Sequence, residues 1–178
     1  EMAEQLGMSR PALANIISSL IKRGEILGRA YVLPEKNHII AIGGANVDRK
    51  FIIEQHVQLG TSNPASVTET VGGVARNIAE NIGRLGNRVS LITVMGDDHD
   101  AIYIEQNCNA TMSLDLVEKL KDYKTGSYTA VLAHTGELVI SMANMEIYEQ
   151  LSPSILKKYE AIMQNASCLI IDLNCPLA

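Results

Sequence analysis

The stretch VGGVARNIAENIGRLG, at residues 71–86, constrains the fold more than any other part of the chain. After its two glycines, apolar residues recur at the spacing of an amphipathic helix, which predicts a helix over residues 75–85. The predicted inward-facing residues are Ile78, Ile82 and Leu85. Gly86 is predicted to end this helix as a left-handed residue, and the apolar run RVSLITVMG behind it predicts a strand. A helix that leads directly into an apolar strand is typical of an α/β fold.

The rest of the chain repeats this alternation of strands and helices. Strands are predicted in IIAIGGANVD, in KFIIEQHVQL, in SVTETV and, as a buried strand, in CLIIDL. GSYTAVLAHTGELVISMA predicts a hairpin that turns at HTGE. MSLDLVEKLKDY predicts one helix, and SPSILKKYEAIMQNA predicts another that begins at Ser152 and Pro153. We therefore expect a parallel sheet covered by helices, with one antiparallel hairpin.

The composition is that of a soluble globular chain. Apolar residues make up 47% and charged residues 20% of the sequence, and the net charge of −5 argues against a surface that coats nucleic acid generally. The three cysteines (Cys108, Cys168 and Cys175) have no C-x-x-C spacing, so we expect reduced thiols and neither a metal site nor a disulfide framework. No apolar run reaches the roughly 18 residues of a membrane-spanning helix. These features predict a cytoplasmic protein.

Residues 1–34 have a different texture and predict a partial winged helix-turn-helix. In MSRPALANIISSLIKRG, Ser9 is the predicted N-cap, and the predicted apolar stripe consists of Leu13, Ile16, Ile17 and Leu20. EILGRAYVLP would then form a short wing. The predicted DNA contacts are Arg10, Asn15, Ser18, Ser19, Lys22 and Arg29. A helical hairpin used for packing or dimerisation remains the alternative. This segment has four basic and three acidic residues, so its net charge hardly favours DNA.

Two strand ends carry the polar residues that predict a binding site. Neither a G-x-x-x-x-G-K-[ST] nor a G-x-G-x-x-G motif occurs. Asn46 and Asp48 instead follow one glycine pair, while a second pair, Gly72 and Gly73, precedes Asn77. A carboxylate accepts and a carboxamide both donates and accepts hydrogen bonds, as the hydroxyls of a sugar require. Taken singly, each residue also fits an ordinary turn, cap or helix surface.

Residues 72–96 resemble the first signature of the ribokinase-like (PfkB) carbohydrate kinases, and GGVARNIAENIGRLG is most similar to its pseudouridine-kinase branch. The resemblance covers about residues 38–178 and includes IIDLNCP. It implies an αβα sandwich with a β lid, of which residues 35–178 would be the N-terminal, substrate-binding part. The substrate-binding residues that it implies are Asn46, Asp48, Gly72, Gly73, Asn77 and Asn174. Val74 and Asn174 depart from the ribokinase pattern and favour a nucleoside over free ribose.

The resemblance also implies ATP as phosphoryl donor, with Mg²⁺, and a Gly-Ala-Gly-Asp turn that supplies the catalytic base. That turn is absent from these 178 residues. GDDHD does not replace it, because it has no second glycine and no helix entrance is expected after it. We expect the base and the nucleotide site to lie beyond residue 178, so that the chain alone would be inactive. A homodimer through the β lid is implied as well, and a sugar-sensing regulator without catalysis is the alternative function.

Overall fold

The computed structural model describes residues 3, 6–26, 37–108, 110–173 and 175–176. The helices are α1 (Arg10–Lys22), α2 (Val74–Arg84), α3 (His99–Cys108), α4 (Pro153–Lys158) and α5 (Glu160–Gln164), with a 3-10 helix at Glu146–Gln150. The strands are β1 (His38–Ile42), β2 (Asn46–Ile53), β3 (Ala65–Gly72), β4 (Arg88–Gly96), β5 (Val117–Leu120), β6 (Ser127–Leu132), β7 (Leu138–Asn144) and β8 (Cys168–Ile171). Two four-stranded sheets result.

The first sheet has the strand order β5-β4-β1-β8, and its pairings are all parallel. Its central strands are apolar on both faces because both faces are covered. One face packs on α2 and α3 through residues that include Leu91, Met95, Ala75, Ala79 and Ile104. The other packs on the 3-10 helix and α4 through residues that include Ile40, Ile92, Val94, Ile147 and Ile155. Each large aliphatic side chain buried in this way contributes roughly 1.5–3 kcal/mol.

The second sheet is mixed and has the order β3-β2-β6-β7. Strand β2 pairs antiparallel with β3 and parallel with β6, and β6 pairs antiparallel with β7. Because side chains alternate between faces, Asp48 and the directly opposite Tyr128 lie on one face. The other face carries an apolar row. It consists of Val67, Phe51, Val131 and Ile140, which are paired in register on β3, β2, β6 and β7.

A bidentate ion pair joins the second sheet to α3. The guanidinium of Arg49, on β2, donates to both carboxylate oxygens of Asp100 at 2.6 and 3.0 Å, and its Nε donates to Glu69 at 2.8 Å. These hydrogen bonds, the one to Asp100 first, raise the pKa of Arg49. The pair fixes the orientation of β2, and therefore of the residues that β2 carries on its opposite face.

Several predicted elements are confirmed. Residues 74–84 form the predicted helix, Gly86 follows it with a φ of 83°, and the strand at residues 88–96 is present. The hairpin forms between β6 and β7, and its turn is closed by a hydrogen bond from Ala133 N to Glu137 O. In α1, Ser9 accepts from Ala12 N as the predicted N-cap.

Other predicted elements are wrong. MSLDLVEKLKDY was predicted to be a helix but contains strand β5, which pairs parallel with β4. Leu116 and Leu120 contact one core cluster and Val117 contacts the other. This alternation between two faces is that of a strand. GDDHD does lead into a helix, α3, since Asp98 accepts from Ala101 N and so caps it.

The boundaries of two elements also differ from the prediction. Strand β2 ends at Ile53, where Glu54 N donates to Pro64 O and the chain turns back. The helix from residue 153 is interrupted at Tyr159, whose hydroxyl donates to Glu118.

Two burial predictions are wrong as well. CLIIDL contributes an edge strand with Ile171 61% exposed, since the sheet has no strand beyond β8 within the described residues. Leu85, expected to face inward, is 80% exposed, because it lies past the last turn of α2.

Of the elements predicted for a winged helix-turn-helix in residues 1–34, the structure describes one complete helix, α1. The predicted wing and its Arg29 lie outside the described residues, as does most of the first predicted helix. The predicted DNA-contacting residues of α1 are all exposed, namely Arg10, Asn15, Ser18, Ser19 and Lys22. Ile16, expected in the apolar stripe, is 45% exposed. None of the helices in the described ranges has both the length and the apolar character that crossing a bilayer requires.

Candidate functional site

A cavity of about 500 Å³ lies where the two sheets meet. Four parts of the chain form its wall: β2 and β6 of the second sheet, the start of α2, the 3-10 helix region, and the ends of β1 and β8. Its lining residues are Gly44, Asn46, Asp48, Gly73, Val74, Asn77, Tyr128, Met145, Tyr148, Glu149 and Asp172. Each of the two glycine pairs therefore contributes a residue, Gly44 or Gly73, to one cavity, which lies at the carboxyl edge of a parallel sheet.

Asp48 is held in position by two neighbours. Its Oδ1 accepts a 2.6 Å hydrogen bond from Nδ2 of the buried Asn46. On the adjacent strand, a Cβ on Gly72 would lie 2.3 Å from Asp48 Oδ2. A side chain at position 72 would therefore displace the carboxylate. Gly72, which the resemblance implies to be a substrate-binding residue, is not among the described lining residues and instead leaves room for the carboxylate of Asp48.

Gly73 allows close contact between the two glycine pairs, Gly43–Gly44 and Gly72–Gly73. Its φ is 98°, a conformation that side chains disfavour, and a Cβ would lie 2.3 Å from Gly44 O. Immediately after it, α2 begins, and Arg76 N donates to Gly44 O at 3.3 Å. The start of α2 thus packs directly on the connection between β1 and β2, which places Asn77 on the same cavity as Asp48.

Asp172 is a lining residue that the sequence analysis did not select. It is 4% exposed, and its Oδ2 accepts from Ala75 N at 3.3 Å and from Gly44 N at 3.5 Å. The carboxylate therefore satisfies backbone donors at the start of α2, where a negative charge is favourable. Its position directly after the apolar run CLII was the available signal. Asn174, which was selected instead, lies outside the described residues.

Tyr148 was also missed, and it forms part of the cavity wall from the 3-10 helix. Its hydroxyl donates a 2.6 Å hydrogen bond to Ala45 O. Burial, together with the negative charges of Asp172 and Asp48, raises the pKa of Tyr148 well above its usual value. Because its one hydrogen is already donated to Ala45 O, the hydroxyl can offer a ligand only the lone pairs of its oxygen, as an acceptor.

Arg76 and Asn77, at the start of α2, have different roles. Asn77 lines the cavity, whereas Arg76 is 5% exposed and is not among the lining residues. Arg76 Nη1 donates to Glu80 Oε2 at 2.6 Å, and its Nη2 donates to Asn77 Oδ1. Burial alone would raise the pKa of Glu80, but Arg76 and Arg84 outweigh it and the pKa is lowered. Arg76 therefore supports the wall from behind.

The charge of the cavity limits what it can hold. Three carboxylates line it, those of Asp48, Glu149 and Asp172, and the described lining residues include no lysine or arginine. Such a surface favours groups that donate hydrogen bonds, such as hydroxyls, over phosphates. Among the described residues, no group of three or more His, Cys, Asp and Glu side chains is arranged to hold a metal ion.

The comparisons with known proteins match this fold. A model of the pfkB family of carbohydrate kinases matches residues 36–176. The chain belongs to this family. Its two sheets have the ribokinase-like α/β arrangement, and the solved structure of a carbohydrate kinase from Agrobacterium tumefaciens superposes with a TM-score of 0.67 at 34% identity, covering 79% of this chain and 47% of that one.

Two curated relatives are similar in sequence to this pfkB-family chain. An uncharacterised sugar kinase of Escherichia coli K12, YeiI, is 29% identical over 175 residues, which are 98% of this chain and 48% of that protein. The pseudouridine kinase of the same organism is 29% identical over 141 residues, which are 79% of this chain and 45% of the relative. The chain thus spans about half the length of the curated relatives that it matches.

Proposed function

We propose that the protein containing this chain transfers the γ-phosphoryl group of ATP to a hydroxyl of a sugar or nucleoside, with pseudouridine as the preferred substrate. The observation that carries the proposal is the placement of Asp48 and Asn77 on one acidic cavity of about 500 Å³. Membership of the pfkB family and the likeness to a pseudouridine kinase support the reaction and the substrate.

In this proposal, Asp48 accepts hydrogen bonds from the substrate hydroxyls, and the carboxamide of Asn77 forms a further hydrogen bond with them. Asn46 keeps the carboxylate in place through its 2.6 Å hydrogen bond. The reacting hydroxyl oxygen attacks the γ-phosphorus, the bond to the β–γ bridging oxygen breaks, ADP leaves, and the hydroxyl proton passes to a base. We place that base and the nucleotide site outside this chain, because no Gly-Ala-Gly-Asp occurs in it and its relatives are about twice as long.

Ligand-induced thermal stabilisation tests this proposal. The full-length protein is melted alone and with ribose, fructose, pseudouridine, uridine or inosine, since a ligand that binds the folded state raises the melting temperature. We expect the largest rise with pseudouridine, and ATP-dependent phosphorylation of the same compound. Absence of stabilisation by all five compounds would contradict a sugar or nucleoside site, whereas a rise with ribose alone would contradict the nucleoside assignment.

A DNA-binding role for residues 1–34 belongs to this proposal. The five predicted contact residues of α1 are exposed, while Arg29 lies outside the described residues. Binding of DNA is compatible both with a kinase and with a sugar-sensing regulator that has no activity. Phosphorylation of any bound sugar by the full-length protein decides between those two.

We also propose a homodimer in which the second sheet acts as a lid over the cavity and pairs with its copy. The apolar row supports this proposal, because Val67 and Ile140 at its two ends are each 55% exposed. A second copy is the simplest cover for such a surface. A cytoplasmic location is proposed as well, in keeping with the free thiols of Cys108, Cys168 and Cys175.

A further inference from the structure

Arg76 is a buried cation directly behind the cavity wall. It lies in the first turn of α2, next to Asn77, and its side chain is 7% exposed. Burying a guanidinium is costly unless its hydrogen bonds are satisfied. One partner, Glu80, supplies the opposite charge at 2.6 Å. Charge neutralisation by Glu80 explains how Arg76 can be buried, but it does not explain why Arg76 also contacts a residue of the cavity.

The contact with Asn77 fixes which end of the carboxamide faces a ligand. An asparagine side chain can rotate its oxygen and its NH₂ group into each other's place, and the two orientations offer opposite hydrogen-bonding groups. A guanidinium carries donors alone, so Arg76 Nη2 selects the orientation in which Oδ1 faces it. The Nδ2 donors of Asn77 are then the part of the carboxamide that is left for a ligand in the cavity.

This orientation makes the two sides of the cavity complementary. Asp48 is an acceptor, and its Oδ1 already receives a hydrogen from Asn46. Asn77, when held by Arg76, is a donor. A hydroxyl group between them can donate to Asp48 and accept from Asn77 at the same time, which satisfies both of its hydrogen-bonding capacities.

We propose that Arg76 is a positioning residue for substrate, which holds Asn77 with its amide hydrogens toward the cavity. The inference rests on the proposed function for the identity of the ligand, but the orientation of Asn77 does not depend on it. Arg76 touches no substrate in this scheme. Its effect passes through one carboxamide, so its loss weakens binding without removing a group from the cavity.

Arg84 provides a matched control. It donates to the other oxygen of the same carboxylate, Glu80, at 2.5 Å, also with i,i+4 spacing, and its side chain is 68% exposed. Replacing either arginine by methionine removes one of the two cations that pair with Glu80. Replacement of Arg76 alone also releases Asn77. A role of Arg76 that is limited to holding Glu80 predicts similar effects of both substitutions on pseudouridine binding.

The binding test uses the full-length protein and isothermal titration with pseudouridine. We expect Arg76→Met to weaken binding about tenfold, the effect of losing one well-oriented hydrogen bond, and Arg84→Met to leave it unchanged. Arg76→Lys, which keeps a donor, is expected to restore part of the affinity. In Asn77→Ala the whole carboxamide is absent, so adding Arg76→Met should cause no further loss. Equal losses from Arg76→Met in the wild-type protein and in the Asn77→Ala variant would overturn the proposal.

A second measurement needs no ligand. The side-chain amide signals of Asn77 in a ¹⁵N–¹H correlation spectrum are assigned by their disappearance in Asn77→Asp. We expect them to shift in Arg76→Met and Arg76→Lys and to stay in place in Arg84→Met. Unchanged signals in both Arg76 variants would overturn the proposal. Shifted signals in a protein that binds no pseudouridine would support the orientation of Asn77 and refute the proposed substrate instead, so the two failures are distinguishable.

Discussion

Asp48 is the residue on which the proposed sugar site depends most. Its carboxylate lies on the second sheet, opposite Tyr128 in register, and one of its oxygens remains for a ligand after Asn46 has bonded to the other. The absence of a side chain at Gly72 gives that carboxylate its space. The neighbouring residues therefore fix both its position and its role as an acceptor.

Asp48→Asn removes the charge while preserving the shape of the side chain. We expect pseudouridine affinity to fall by roughly 100-fold, the cost of weakening two hydrogen bonds to a charged acceptor, while ATP affinity stays unchanged. Isothermal titration of the full-length protein measures both. Asp97→Asn, an equivalent change at an exposed position outside the cavity lining, serves as the control. Retention of full pseudouridine affinity in Asp48→Asn would show that the ligand binds elsewhere.

At the scale of elements, α3 connects the two sheets. Asp98 caps its start through Ala101 N at 3.1 Å and also accepts from Thr125 N and Thr125 Oγ1, just before β6. Two residues later, Asp100 pairs with Arg49 of β2. The helix thus joins β4 of the first sheet to β2 and β6 of the second, and the relative position of the sheets follows from it.

The pH dependence of stability should report on this cap. Burial alone would raise the pKa of Asp98, but the hydrogen bonds from Thr125 and Ala101 outweigh it and the pKa is lowered. A lowered pKa means that the stabilisation is present above the unfolded-state pKa of about 3.9 and is lost as the pH falls through the folded-state value.

Asp98→Asn is therefore expected to destabilise the protein by about 1 kcal/mol at pH 7, and the difference from wild type should shrink as the pH drops below about 4. Urea denaturation between pH 7 and pH 3 measures the free energy of unfolding. The adjacent, exposed Asp97→Asn should behave as wild type throughout. A difference for Asp98→Asn that stays constant over this range would contradict the assignment of the stabilisation to the charged form.

At the scale of the whole molecule, the two sheets differ in how they are covered. The central strands of the first are packed on both faces, whereas the second exposes Val67 and Ile140 at the ends of its apolar row. A partner on this face would steady the cavity from outside, because β2 and β6 carry Asp48 and Tyr128 on the opposite face.

Ile140→Lys tests the proposed dimer. A lysine within a buried apolar interface is unfavourable, so sedimentation velocity should show a dimer for the wild-type protein and a monomer for the variant. Thr135→Lys, in the exposed turn between β6 and β7, should remain dimeric. A wild-type protein that sediments as a monomer, or a variant that stays dimeric, would contradict an interface through the apolar row.

DNA binding by α1 is tested through its dependence on salt. Gel shifts of the full-length protein with DNA from the upstream region of its own gene should weaken steeply as salt rises. Replacing Arg10 and Lys22 by alanine should lower the slope of log affinity against log salt by about two, since each phosphate contact contributes roughly one. The control pair, Lys121→Ala with Lys157→Ala, is exposed but outside α1. The same slope in both double variants would leave α1 without a role in binding DNA.

What the sequence determined by itself was local. Ser9 as an N-cap, the helix over residues 74–84, the glycine that follows it and the hairpin all depend on residues within a few positions of one another. The same local reading selected Asp48 and Asn77, and the structure places both on one cavity. Their role in substrate binding stays a prediction.

The tertiary structure decided the rest, because the deciding contacts join distant parts of the chain. Asp172 meets Gly44 across 128 positions, and Tyr148 meets Ala45 across 103, so the place of each in the cavity wall depends on contacts between distant segments. Strand β5 was mistaken for a helix because its pairing with β4, and not its own residues, makes it a strand. Hydrogen bonding and burial at long range overrode local preference at these positions.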